Sequence, residues 1–351
     1  MGGRQLFNKA TANLAATALG LLLSTAGCGG SSGTPFGGAD AGDAPSGPTV
    51  AQSCADLAQA QCAKRMICSN GVSITRLYGS MDTCISRVTA QCTAGLAAPQ
   101  SGNSASLAEQ CVAAYPQLAC ADFLDGVLTD VCAPLGPRAA GQPCAFNGQC
   151  ASGFCSGTKN ATCGTCAPSP AVGDSCATSS CGHGQTCVLT TTMCEDYGAS
   201  AATCSTASPC GSGLACTGIL STAVSSGTCQ VAATEVGAAC GGTMPGCSGT
   251  LGLYCAGAVG AKACAAIAFA SEGMPCGELS TTSHVECTAG GCYTATGLAG
   301  TTEVGTCKAD AADGAACDTV LGPACLTPAR CVPTGAGSAG LCTFPSGATC
   351  G

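Results

Sequence analysis

Between residues 51 and 134 apolar and cysteine positions return with the period of a helix, and beyond Pro137 that period vanishes. Cys54, Leu57, Ala58 and Cys62 stand at i, i+3, i+4 and i+8, so they share one face, and Ser53 with Asp56 three residues on resembles a capping box that opens the helix. Ser80 opens a second helix whose Cys84, Val88 and Cys92 line one stripe. A third starts at Ser106, with Glu109 three residues on, carries Cys111, and breaks at Pro116 before a short piece through Cys120 to Leu124. Antiparallel packing of the first two helices places Cys54 near Cys92, and either Cys62 or Cys68 near Cys84. The pairing of these cysteines with one another and with Cys132 stays open. The expectation is a small disulfide-stapled helical domain over 51–134.

In the remainder, Gly, Ser, Thr and Ala fill short stretches between cysteines, with no helical stripe. A Gly-x-x-Cys step recurs at Gly141 to Cys144, Gly173 to Cys176, Gly237 to Cys240, Gly273 to Cys276, Gly314 to Cys317 and Gly347 to Cys350, with Cys204 filling the gap in looser form. Successive starts lie 32, 28, 36, 36, 41 and 33 residues apart, and most units hold four cysteines. Units below about 40 residues rarely bury enough surface to fold without staples. A native disulfide typically adds about 2–4 kcal/mol by restricting the unfolded chain, so two per unit replace the missing core. The fold class expected is a small disulfide-rich protein, a stapled helical domain followed by loop-rich, short-stranded repeats over 141–351. About six units of roughly 34 residues make up that array, and Cys166 and Cys350 stand outside the four-per-unit pattern. Near-independent units are expected, because few large apolar residues are available to weld neighbours together.

The first 27 residues follow a different logic. Arg4 and Lys9 precede a ten-residue apolar run from Leu14 to Leu23, far short of the roughly 20 residues that span a bilayer, and small residues follow. This reads as a signal peptide over 1–27. Thr25-Ala26-Gly27 before Cys28 resembles the lipobox of bacterial lipoproteins, departing from it at Thr25, where that family usually has Leu. The resemblance implies that Cys28 carries a lipid. Cysteine arithmetic agrees: the chain has 35, and setting Cys28 aside leaves an even set of thirty-four from Cys54 onward. Residues 28–50, rich in Gly, Ser and Pro, then read as a tether. Gly29 stands where Asp in the lipoprotein family signals inner-membrane retention, which favours the outer membrane or cell surface, with a periplasmic or extracellular protein as the alternative.

Two further resemblances rest on the cysteine pattern. Cys144, Cys150, Cys155, Cys163-Gly164-Thr165-Cys166, Cys176, Cys181 and Cys187, with the Gly153-Phe154-Cys155 step, look like the Dickkopf N-terminal cysteine-rich module. The match covers about 45 residues and departs at Cys181, where that family has an adjacent pair, so its pairing does not transfer. Taken whole, the lipoprotein start, tether, helical cysteine domain and repeats are similar to the cysteine-rich lipoproteins of myxobacteria. That likeness implies an envelope location and no particular activity.

Charge and composition narrow the chemistry. Beyond residue 27 there are nine basic and nineteen acidic residues, net −10, with no basic run, so nucleic acid is not an expected partner. No Trp and 3% aromatic residues argue against a large packed core. The spacing of Cys163 and Cys166 matches a thioredoxin motif but lacks the flanking strand and helix that depress a thiolate, so a structural role is expected. No second close Cys or His pair supports zinc, and no acidic loop supports calcium: Asp40-Ala41-Gly42-Asp43 lies in the tether. His183 and His284 are the only histidines, and neither sits in a catalytic motif. The sequence therefore points to a non-catalytic protein without cofactor or metal. It is held at a membrane through a lipid and binds a protein or glycan partner, adheres, or forms a surface layer. A secreted protease inhibitor is the alternative, and an enzyme a more distant one.

Overall fold

The computed structural model describes residues 47–157, 160–177, 180–188, 191–205, 208–218, 226–300 and 303–350. Cys28, the leader and most of the tether lie outside them.

Five helices form the head: α1 (Val50–Ser69), α2 (Val72–Tyr78), α3 (Met81–Ala97), α4 (Ala105–Ala114) and α5 (Cys120–Leu124). Helix α1 begins earlier than the Ser53 box implies. Thr49 is the cap, its hydroxyl accepting from the Gln52 amide at 3.2 Å, and Ser53 is fully buried inside the first turn. Ser80 caps α3 as expected, accepting from the Thr83 amide at 3.1 Å. Helix α4 is capped by Ser104 rather than Ser106, which adds the Ala108 to Ser104 backbone bond at 2.9 Å. Helix α2 has no strong stripe in the sequence. Gly71 and Gly79, at φ +80° and +77°, bracket it, and Ile74 and Tyr78 are buried.

Helices α1 and α3 run antiparallel and are bolted by Cys54–Cys92 and Cys62–Cys84. Each rung pair is eight residues apart on its helix, about 12 Å at the α-helical rise, so both rungs close between straight helices. Cys68–Cys120 ties α1 to α5, and Cys111–Cys132 ties α4 to the turn that ends the head. Around the first two rungs Ala58, Ile74, Tyr78 and Val88 form a small core.

After the head come six units, each with four cysteines joined first to third and second to fourth. The pairs are Cys144–Cys155 with Cys150–Cys166, Cys176–Cys187 with Cys181–Cys194, and Cys204–Cys216 with Cys210–Cys229. They continue as Cys240–Cys255 with Cys247–Cys264, Cys276–Cys292 with Cys287–Cys307, and Cys317–Cys331 with Cys325–Cys342. In every unit the third and fourth cysteines sit directly opposite each other on an antiparallel hairpin, for example Cys155 with Cys166 and Cys331 with Cys342. They bond away from each other, to the second and first cysteines, so the hairpin is fixed to the loop beneath it. The unit cores are little else: Cys144, Cys150 and Cys166 in the first, Cys276, Cys287 and Cys307 in the fifth.

The Gly-x-x-Cys step has a structural cause. Gly141, Gly173, Gly237, Gly273 and Gly314 all have φ between +77° and +90°, and the amide of each donates to the carbonyl of its unit's fourth cysteine at 2.7 or 2.8 Å. Only a left-handed residue turns the chain sharply enough to make that bond while leading into the first cysteine. The looser third unit makes the same bond from Ala201 to the Cys229 carbonyl at 2.8 Å, with Ala201 at φ +66°.

The structure changes two expectations about the array. Cys166 is the ordinary fourth cysteine of the first unit, and the supernumerary pair is Cys163–Cys350, joining residues 187 apart. Gly347 to Cys350 does not start a seventh unit: it is a short 3₁₀ turn, Gly347–Thr349, that delivers Cys350 to Cys163. The units also do not form an open row of near-independent beads. Neighbours touch through Ser208 to Glu195, Gly218 to Gly242, Gly257 to Thr281 and Lys308 to Leu321 hydrogen bonds, and the sixth unit returns to the first through Arg330 and the Ala161 carbonyl. The row closes on itself beside the head.

Candidate functional site

Every unit is pinned to the head by a polar contact, and these contacts use most of the scarce charge of the chain. In the first unit the fully buried Gln149 donates to the Pro99 carbonyl at 2.8 Å. In the second, His183 Nδ1 lies 3.0 Å from the Gly126 carbonyl. In the third, the Asp125 carboxylate accepts from the amide and hydroxyl of Ser212, the latter at 2.6 Å. Arg76 reaches both the fourth and fifth units, donating to the Gly249 carbonyl and, through two nitrogens at 2.5 and 2.9 Å, to Glu286. Arg87 holds the sixth: it makes a two-pronged pair with Asp313 at 2.7 and 2.8 Å, donates to the carbonyls of Leu326 and Thr327, and stacks over Phe344. Fork-to-fork pairs fix orientation as well as distance.

Burial shapes the protonation of some of these groups. Desolvation raises the Asp125 pKa above 3.8, against the opposing pull of the two Ser212 bonds. Tyr197 is raised by burial and, secondly, by the nearby Asp125 charge. Tyr115, in the second small core of the head against Phe123, is pushed by burial up to about 12. None of these three belongs to a set of nucleophile, base and oxyanion donors.

The two histidines stand apart in role. His183 is the hub contact just described. His284 packs against the Tyr254 ring, centroids 5.4 Å apart, with its Nε2 4.0 Å from the Glu286 carboxylate that Arg76 already holds. Cysteine sulfurs do cluster, as in Cys144, Cys150 and Cys166, where the atoms lie within 4.8 Å. All three are consumed in disulfides, so the cluster has no thiolate to give a metal. Cys163 and Cys166 are likewise bonded to Cys350 and Cys150, not to each other. Cys54, Cys62, Cys68, Cys84, Cys92, Cys111, Cys120 and Cys132 are all paired within the head. No described helix is long and apolar enough to cross a membrane.

What faces outward is a set of hairpins. Between the third and fourth cysteines the six units carry 10, 6, 12, 8, 14 and 10 residues, against only 4 to 7 between the second and third. Variation thus concentrates in the hairpins. The fourth unit shows the arrangement plainly: Leu253–Ala256 pairs with Ala263–Ala266, and Val259 in the connecting turn is 96% exposed. An apolar side chain fully in water at a tip is an available contact.

No protein-family model, curated protein or solved structure matches this chain. The functional reading therefore rests on its own geometry. Sequence reasoning missed Arg76, Arg87 and Arg138. The signal that could have flagged them is rarity, since only eleven basic residues occur in 351.

Proposed function

We propose that this is a lipid-anchored protein of the cell envelope that acts as a non-catalytic binding module, offering hairpins of unequal length to a protein or glycan partner. The supporting observation is the contrast in loop lengths: the 4 to 7 residues between second and third cysteines are nearly constant, while the hairpins range from 6 to 14. A scaffold that holds its frame and varies its tips is how rigid folds present binding loops. Seventeen disulfides between residues 54 and 350 require an oxidising compartment, which agrees with export. Cys28 as the lipid carrier rests on the Thr25-Ala26-Gly27-Cys28 resemblance and on the even remainder of cysteines.

The experiment is capture from envelope extracts with the oxidised protein from residue 50 onward, run beside a variant whose 257–260 turn is replaced by Asn-Gly. A partner held by the first and lost or weakened by hairpin variants supports the binding reading. Capture of nothing by any version, with the protein forming a regular layer on its own, replaces it by a surface-structural role. Anchoring is tested separately with Cys28→Ala: wild-type membrane association of that variant, without palmitate label on the parent, defeats the lipid anchor.

A further inference from the structure

Arg138 is only 4% exposed and sits where the head, the first unit and the end of the chain meet. Its Nη1 donates to the carbonyl of Pro143 and, at 3.4 Å, to that of Cys350; Nη2 donates to the Pro99 carbonyl, also at 3.4 Å. Nε has no partner. Among the described residues no carboxylate forms an ion pair with it, although Arg76 and Arg87 each have one. Carbonyl dipoles satisfy N–H groups without cancelling charge, and a buried cation is costly until an anion meets it. In a chain of net charge −8 such an arginine is conspicuous.

Arg138 also lines a recess of about 180 Å³ together with Gln100, Gln142 and Pro143. Gln142 has its carbonyl oxygen engaged by the Ala139 amide at 3.0 Å, which orients the side chain and leaves its NH₂ as a donor. Gln100 is held at φ +58°, a left-handed conformation that a residue with a side chain adopts only where its surroundings impose it. Two amides and a guanidinium edge with one unmet and one weakly met N–H thus converge on one small space.

We propose that this recess is a carboxylate-binding site. The Nε and Nη2 edge of Arg138 takes the two oxygens side-on, and the amides of Gln100 and Gln142 flank them. A planar carboxylate matches that edge in shape and charge. The volume admits the carboxylate and a small substituent only, so the ligand is a small free acid or the C-terminal end of a partner polypeptide, which share this chemistry.

The test follows the Arg138 Nε–H resonance in ¹H–¹⁵N spectra of the whole oxidised protein. Acetate is titrated against chloride at constant ionic strength, then acetyl-triglycine and its C-terminal amide. A saturable shift with acetate or acetyl-triglycine, absent with the amide, is expected. Gln142→Ala should weaken binding by about tenfold, the worth of one hydrogen bond to a charged group. Arg138→Lys should lose both resonance and saturable response, with its disulfides confirmed by mass mapping, and Gln142→Ala carries the test if that variant does not fold. Tighter binding of acetyl-triglycine assigns a chain end, and tighter binding of acetate a free acid. A resonance that neither acid moves, or that the amide moves equally, overturns the site. So does a resonance that shifts only when two glycines are added after Gly351, since that marks a contact within the chain itself.

Discussion

The head and the ring of units solve the same problem in different ways. In the head, disulfides lie over an apolar core: Cys62–Cys84 crosses between helices beside Ala58, Ile74, Tyr78 and Val88. In the units the disulfides are the core, as in the first, where Cys144, Cys150 and Cys166 stand with only Cys155 packed against them. Helices supply a continuous stripe that can be buried, whereas strands of two to six residues between glycines cannot. A disulfide in the head is therefore an addition to a fold, and a disulfide in a unit is a condition of it.

The largest effect expected from this contrast is a swap between the two regions. Replacing all four cysteines of the fifth unit by Ala removes two staples worth about 2–4 kcal/mol each, with no apolar cluster beneath. Limited proteolysis should then cut within 276–307. Replacing Cys62 and Cys84 removes one staple, and far-UV circular dichroism should keep its helical signal. Equal loss of structure in both variants breaks the comparison.

Next in size is Cys163→Ala with Cys350→Ala. Chain entropy for a separation of 187 residues sets a ceiling of about 5 kcal/mol, lowered because the intervening chain is already cross-linked. Amide exchange should accelerate at the junction of the first and sixth units and leave the other hairpins protected. Deleting Gly273–Lys308 sharpens the same point. In a row of free units the other pairs survive untouched. In a closed ring Cys163 and Cys350 are the two that mispair, which disulfide mapping reads directly.

Arg87→Ala should cost about 2–3 kcal/mol, because it leaves Asp313 and two carbonyls without their charged donor and removes the stacking on Phe344. Denaturant unfolding with a probe in the sixth unit measures it. A loss within error of zero would mean that the ring stands without its hub contacts.

Smaller again is the glycine rule at the head of each unit. Ala201→Gly should stabilise the third unit by about 0.5 kcal/mol, since relief of the left-handed strain slightly exceeds the added freedom of the unfolded chain. Gly237→Ala should destabilise the fourth by about 1 kcal/mol. Opposite signs in thermal unfolding are the required outcome.

The smallest effect concerns Asp125. Its pKa is raised above 3.8 in the folded chain, so its favourable contribution is complete below pH 3.8 and is lost as pH rises through the folded value. Asp125→Asn can still accept from Ser212 and never ionises. The variant should gain on the parent as pH rises from 3.8 toward neutrality. A constant difference across that range would show that burial of this carboxyl is not the controlling cost.

Much of this architecture was legible in the chain. Helical spacing of Cys54 and Cys62 against Cys84 and Cys92 predicts two rungs between antiparallel helices, because a shared face forces both contacts at once. The recurring glycine three residues before a cysteine marks a backbone conformation that glycine reaches without strain, and its one exception, Ala201, is the place where the rule is strained. Helix starts were less legible: Thr49, Ser53, Ser104 and Ser106 all carry a capping hydroxyl, and only packing chose between them.

The composition and spacing of the sequence by themselves determined a cysteine-rich chain, a few stapled helices and a succession of short-stranded units, since these are local properties of period, turn chemistry and cysteine count. Tertiary structure alone decided that Cys163 bonds Cys350 rather than Cys166, that Arg76 and Arg87 grip Glu286 and Asp313 more than 200 residues away, and that Arg138 is buried without an anion. No local pattern encodes such contacts: they depend on where several small rotations, accumulated unit by unit, bring the last residues of the ring back to the first.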